Sequence, residues 1–135
     1  MTRPLPVPDD TSAPYWAAAA QHQLTIARCA RCAMFTVPPE VVCPHCGTTD
    51  PDFTFTAVGG RGVVRSWTVV RQSFLPGFDV PFVLVDVELA DQAELRLIGR
   101  LLDGVGAGLR VGAPVCARFE DLAPGVAVPA FELQR

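Results

Sequence analysis

Three observations predict a mostly β chain made of one short helix, a four-cysteine metal ribbon and a small β-barrel. Four of the five cysteines stand as two C-x-x-C pairs between Cys29 and Cys46. From Phe53 onward, β-branched and aromatic runs alternate with turn residues. No helical period of useful length interrupts those runs, which is the signature of an all-β unit. With 135 residues, half of them apolar, the chain can bury one core and a small satellite unit but not two full domains.

Residues 1–13 are rich in Pro, Asp, Ser and Thr and predict a flexible arm able to order on a partner. Pro14 suits a first helical turn, and "YWAAAAQH" has high helix propensity, so a short helix is expected over about 14–22, in a segment 14–24. One or two turns do not hold themselves in water, so Tyr15 and Trp16 must pack on something. The cysteine unit, 25–52, comes next and closes on the turn residues "TTDPDF". The barrel segment, 53–135, reads as "FTFTA", "GRGVVRSWTVVRQ", "PFVLVDVEL", "ELRLIGRLL", "APVCARFEDL" and "VPAFEL", joined by loops such as "SFLPGFD", "DGVGAGLRVG" and "APGVA". Gly59, Gly60 and Gly62 provide for the bulge and sharp bend of a small barrel.

The spacing C-x2-C-x10-C-x2-C lets two knuckles, each offering two sulfurs, close a tetrahedron on one metal ion. Cys29, Cys32, Cys43 and Cys46 are therefore the expected ligands, with zinc the default ion and iron its competitor. Four thiolates leave no open coordination position, so the metal is structural, and its binding supplies what a ribbon with little core lacks. Pro44 stiffens the second knuckle and Gly47 supplies the positive φ that follows it; Ala33 holds the matching place after the first pair. A redox C-x-x-C would open a helix in a βαβ setting, and none is present. His45 reads as a solvent-facing ring rather than a fifth candidate ligand, and Cys116 as a small buried hydrophobe.

No G-x-S-x-G, Walker loop, H-E-x-x-H or dinucleotide fingerprint occurs, and the Gly-rich "VGGRGVV" enters a strand rather than a helix. His22 has no nucleophile or carboxylate at a telling spacing. Asp86 and Glu88 share one face of a strand and read as a solvated face. The chain is expected to carry no complete active site. The apolar loop "SFLPGFDVPF" stands out instead: Phe74, Leu75, Phe78 and Phe82 gather round a Pro-Gly turn, where one or two of them cap the barrel mouth or the cluster forms a partner-binding surface. Arg61, Arg65 and Arg71, on the adjoining strand, are candidates to neutralise the phosphates of a ligand such as CoA.

Net charge is −3, and from Phe53 to Arg135 eight arginines face nine acidic residues, so no basic surplus draws in nucleic acid. A single-strand-binding OB or ribbon protein, with Trp67 and Phe82 stacking bases, is the rival from another class. All eleven basic residues are Arg, a mark of GC-rich coding. No secretory signal opens the chain and no apolar run is long enough to span a bilayer, so a cytoplasmic location is expected.

The ordered set "YW", "LTIARCARC", "VPPEVVCPHCG", "GRGVVRSWTVV", "PFVLVDVEL", "LIGRLL", "LRVGAPVCARF" and "VPAFEL", from Tyr15 to Phe131, resembles the acyl-CoA-associated proteins long catalogued as domain of unknown function thirty-five. That resemblance implies a helical N-terminal segment, a rubredoxin-like zinc ribbon and a C-terminal OB-fold barrel. It implies one zinc ion on Cys29, Cys32, Cys43 and Cys46. The family pattern often has Gly after the first pair, where this chain has Ala33. It further implies a non-catalytic subunit in a hetero-oligomer with a thiolase-like enzyme acting on CoA thioesters. That partner is either a lipid-transfer-protein-like aldolase cleaving steroid-CoA side chains or a thiolase bridged to a condensing enzyme. The lysine-free composition favours the steroid aldolase. Some relatives fuse this unit to a MaoC-like hydratase, whereas this chain is expected to stand alone.

Overall fold

A computed structural model describes residues 3–134. Met1 and Thr2 of the expected arm, and Arg135 at the end of the barrel segment, lie outside the described residues. The elements are α1 (Ala13–Ala20), β1 (Thr25–Arg28), β2 (Phe35–Thr36), β3 (Thr54–Ala57), β4 (Arg61–Val70), β5 (Phe82–Leu89), β6 (Arg96–Leu101), β7 (Pro114–Ala123) and β8 (Val126–Leu133).

Helix α1 is shorter than the sequence suggests because it is capped in the left-handed manner. His22 takes φ 59°, its N–H bonds Ala19 O at 2.8 Å, and the Gln23 N–H bonds Ala18 O at 3.0 Å. These are the paired bonds of a Schellman end, with His where glycine is usual. The His22 ring then stacks on Phe119 at 5.5 Å and its Nε2 lies 2.8 Å from Asp121 Oδ1, which pins the cap to β7. Tyr15 and Trp16 meet edge to face at 4.9 Å, and Tyr15 lies 6.2 Å from Phe55.

The ribbon is a three-stranded sheet ordered β2-β1-β3. Strand β1, in "LTIAR", was not anticipated, although Thr25, Ile26 and Ala27 are all buried. Strand β3 lies beyond the boundary expected at Phe53, yet it pairs antiparallel with β1, from Thr25 opposite Ala57 to Arg28 opposite Thr54. The ribbon sheet therefore reaches into the text assigned to the barrel.

Strands β4-β5-β6-β8-β7 close a barrel, with β6 and β8 the parallel pair and every other neighbour antiparallel. This is the Greek-key order of an OB-fold. Strict alternation on β5 sends Val83, Val85, Val87 and Leu89 inward and Phe82, Leu84, Asp86 and Glu88 outward. Phe131 is fully buried on β8, and a Cβ at Gly99 would stand 3.0 Å from its ring, so β6 approaches Phe131 only with glycine there. Gly62 has the same role at the start of β4, where a Cβ would fall 2.4 Å from Glu88 O. Leu24 and Ile26 join the same apolar cluster as the barrel residues, so ribbon and barrel share one core.

Candidate metal centre and partner surfaces

The two C-x-x-C segments fold as matching knuckles. Ala33 N–H bonds Cys29 O at 2.9 Å, and Gly47 N–H bonds Cys43 O at 2.9 Å. The residue after each pair is left-handed, at φ 65° for Ala33 and 77° for Gly47. Ala33 thus holds the glycine-like position at the modest cost that an alanine Cβ brings there. Cys29 and Cys43 are buried, Cys32 is half-buried and Cys46 is exposed.

The four sulfurs lie within 4.8 Å of one another, with Cys32–Cys43 at 3.7 Å and Cys29–Cys46 at 4.0 Å. A zinc ion about 2.3 Å from each of four tetrahedral sulfurs sets them roughly 3.8 Å apart. The residues fit the metal. Without a cation the thiols do not ionise alike: the Cys46 backbone N–H aimed at Cys43 lowers that thiol to about 6 against the effect of burial. At Cys32 the Met34 N–H favours the thiolate, but burial and the three neighbouring thiols outweigh it and push the group up to about 11. Four sulfurs this close shed their protons together only around a cation. Bound there, the metal would supply a covalent cross-link between the knuckles and no open position for chemistry. His45 turns away, its Nε2 3.0 Å from Phe35 O.

Gln92 was missed by the sequence reading, and it joins the metal unit to the barrel. Its side chain accepts the Phe35 N–H at 2.8 Å and donates to Phe35 O at 2.9 Å, imitating a neighbouring strand beside β2. A glutamine in a tight "ADQA" turn carries no signal of this in the sequence.

The apolar loop between β4 and β5 divides in two. Phe74 and Leu75 are 89% and 57% exposed at its tip. Phe78 and Phe82 instead stack on each other at 5.4 Å, and the Arg3 guanidinium lies 5.4 Å over the Phe78 ring. Arg3 also pairs with Glu120 at 3.4 Å, and Arg100 binds the same carboxylate through two nitrogens. The N-terminal arm is thereby tied to the barrel wall. The sequence offered no pointer to Glu120, since its partners lie 20 and 117 residues away.

Arg61 and Arg65 lie on β4 and Arg71 just beyond its end, at most roughly 33 Å from first to last at strand rise, so the three are spread along the chain rather than gathered at one turn. Arg65 pairs with Glu88 at 3.3 Å. Arg61 lines a surface cleft of about 590 Å³ with Arg118, Glu132 and Cys116. Cys116 is half-buried at that cleft rather than enclosed in the core. Asp86 and Glu88 share the outer face, with Asp86 2.6 Å from Arg96 and Glu88 held by Arg65, so neither is free for acid or base work. No helix among the described residues is long and apolar enough to cross a membrane.

A four-cysteine ribbon sharing its core with an OB barrel defines the class: a zinc-ribbon and OB-fold protein. Residues 16–52 match the family model for the ChsH2 rubredoxin-like zinc ribbon domain, and residues 55–120 that for the ChsH2 C-terminal OB-fold domain. The chain superposes on a chain of the Ltp2-ChsH2(DUF35) aldolase with a TM-score of 0.82 and 31% identity, covering 95% of this chain and 98% of the other. The chain belongs to the ChsH2 zinc-ribbon and OB-fold family, DUF35. It is 34% identical over 96% of its length to a "probable enoyl-CoA hydratase alpha subunit" of Thermomonospora curvata. It is 31% identical over 79% of its length to the 3-oxo-4,17-pregnadiene-20-carboxyl-CoA hydratase alpha subunit of Mycobacterium tuberculosis. It spans only 39% and 33% of those two relatives. A DUF35-family protein of unknown function from Sulfolobus solfataricus shares the fold, with a TM-score of 0.60 at 14% identity over 93% of this chain and 86% of that one.

Proposed function

We propose that this chain is a zinc-binding accessory subunit that docks on and stabilises a thiolase-like, Ltp2-type enzyme acting on steroid-CoA thioesters, an aldolase that cleaves the side chain by retro-aldol C–C scission. The observation that carries the reading is the near end-to-end likeness to a chain of the Ltp2-ChsH2(DUF35) aldolase. The chain's own chemistry supports it. The metal site offers four thiolates and no open position, and the carboxylates of the barrel face are held in ion pairs. The catalytic groups then belong to the partner.

Zinc on Cys29, Cys32, Cys43 and Cys46 holds the ribbon, and Gln92 passes that order to the barrel. Phe74 and Leu75 are the apolar contacts offered to the partner, with Phe78 and Phe82 supporting the loop beneath them. Of the three arginines considered for CoA, Arg61 is the one that combines a cleft beside it with the absence of an ion pair among the described residues.

The test is co-expression with the Ltp2-type subunit of the same genome, followed by native mass spectrometry and a retro-aldol assay on a steroid-CoA. A stoichiometric complex whose activity needs both chains supports the reading. An active Ltp2-type enzyme that ignores this chain refutes it.

A further inference from the structure

Strand β4 outruns its neighbour on one side. It pairs with β7 only from Arg61 to Val63, and a loop completes that edge through Val64, whose N–H bonds Ala113 O at 2.9 Å and whose O accepts the Gly112 N–H at 2.7 Å. A register shift in the β4–β5 ladder, between Val64 and Ser66, falls at the place where the pairing on the β7 side stops. Arg65 falls within that shift, and from Ser66 to Val70 the strand has β5 on one side; from Arg65 to Val70 there is, among the described residues, no strand on the other. Six residues of open edge extend roughly 20 Å. Such an edge presents unpaired backbone donors and acceptors, which a second extended chain satisfies.

The surroundings specify what that chain carries. Trp67 on this stretch is 41% exposed. Arg71, at its far end, is exposed and has no carboxylate partner among the described residues. Arg110 is likewise exposed and unpaired, and its Nη1 lies 3.7 Å from the Cβ position of Gly112, the residue bonded to Val64 O. The acids on the strands of the hairpin are already engaged, Asp86 by Arg96 and Glu88 by Arg65, and Asp79 in its loop acts on the charge of Arg100. Uncompensated charge along the edge is therefore positive at both ends. A second copy of this chain, paired about a two-fold axis, would bring the same arginines together and be repelled.

We propose that the open edge of β4, Arg65–Val70, receives an extended acidic segment of the thiolase-like partner as an added strand. Its carboxylates meet Arg71 and Arg110, and an apolar residue covers Trp67. This rests on the accessory-subunit reading and names the mode of docking. It places the strand contact beside the apolar tip at Phe74 and Leu75, so one hairpin offers both backbone pairing and side-chain anchors.

The experiment is hydrogen exchange on the co-expressed complex with the Ltp2-type subunit, compared with the free chain, together with the double variant Arg71→Glu, Arg110→Glu. Expected is slowed exchange at the fast amides of 65–70 and at least tenfold weaker assembly by the double variant, with its circular dichroism unchanged. A complex in which 65–70 exchanges as in the free chain overturns the strand proposal and leaves the subunit reading standing. Protection of 65–70 in a homodimer of the chain alone overturns the partner as occupant. Failure of any complex to form in native mass spectrometry overturns both readings.

Discussion

The side-chain amide of Gln92, on the β5–β6 turn, brackets the backbone of Phe35, accepting its N–H at 2.8 Å and donating to its carbonyl at 2.9 Å. Phe35 opens β2, between the two cysteine knuckles, and its carbonyl also faces His45 Nε2 at 3.0 Å. Order at the metal site and order in the barrel thus meet at one residue. Gln92→Leu removes both bonds and strands the Phe35 N–H, leaving the carbonyl to His45, which costs about 1–3 kcal/mol. Urea unfolding of the metal-loaded protein should show that loss, and an unchanged midpoint would mean the bracket is incidental.

Cys43→Ser removes a buried member of the four-cysteine cluster. Structural zinc in small ribbons is worth on the order of 10 kcal/mol, so the variant should lose its metal, disorder β1–β3 and lose partner binding together. Metal analysis and pull-down with the Ltp2-type subunit check this in one preparation. Normal assembly by the metal-free variant would contradict it.

Tyr15 is the chain's one tyrosine, and burial pushes its phenol up to about 12. The folded state favours the neutral phenol, so this stability is intact below the ordinary value near 10 and is lost as pH rises through the folded value. Phenolate absorbance should therefore appear late and together with loss of the helix packing. Ionisation near 10 with the fold intact would show that Tyr15 is not enclosed.

Glu120 behaves in the opposite sense. Burial works to raise its pKa, but the Arg100 hydrogen bonds and the charges of Arg100 and Arg3 outweigh it and the net shift is downward. A depressed carboxylate contributes stability that is present above its ordinary value near 4.5 and lost as pH falls through the folded value. Acid should free the N-terminal arm in that window, and Glu120→Gln should free it at neutral pH. Limited proteolysis of residues 3–12 reads both, and an arm that stays protected in the variant would rule out the Arg3 tether.

Phe74→Ser with Leu75→Ser alters exposed tip residues and should leave thermal stability within about 0.5 kcal/mol of the parent. If the tip is an anchor, partner affinity falls at least tenfold. An unchanged affinity would place the partner elsewhere.

Much of the barrel was legible because β5 alternates buried and outward residues along its whole length, and period two survives without any tertiary information. The four-cysteine cluster was legible because a tetrahedron of sulfurs imposes a spacing that the text displays. Strand β1 was hidden since all three of its first residues are buried, leaving no alternation to read. The helix end was misplaced because a histidine, not a glycine, takes the left-handed position, and only the stack on Phe119 shows why. The apolar loop was read as one cluster, but the arm that carries Arg3 claims Phe78 and leaves Phe74 and Leu75 outside. Contacts such as Gln92 with Phe35 lie 57 residues apart and leave no local trace.

The first measurement to make is native mass spectrometry of this chain co-expressed with the Ltp2-type subunit of its genome, with zinc quantified in the same sample. A stoichiometric hetero-oligomer carrying one zinc per copy of this chain is the predicted result. A zinc-loaded chain that stays alone while the Ltp2-type enzyme works without it would contradict the subunit reading, and binding to single-stranded nucleic acid would then be tested.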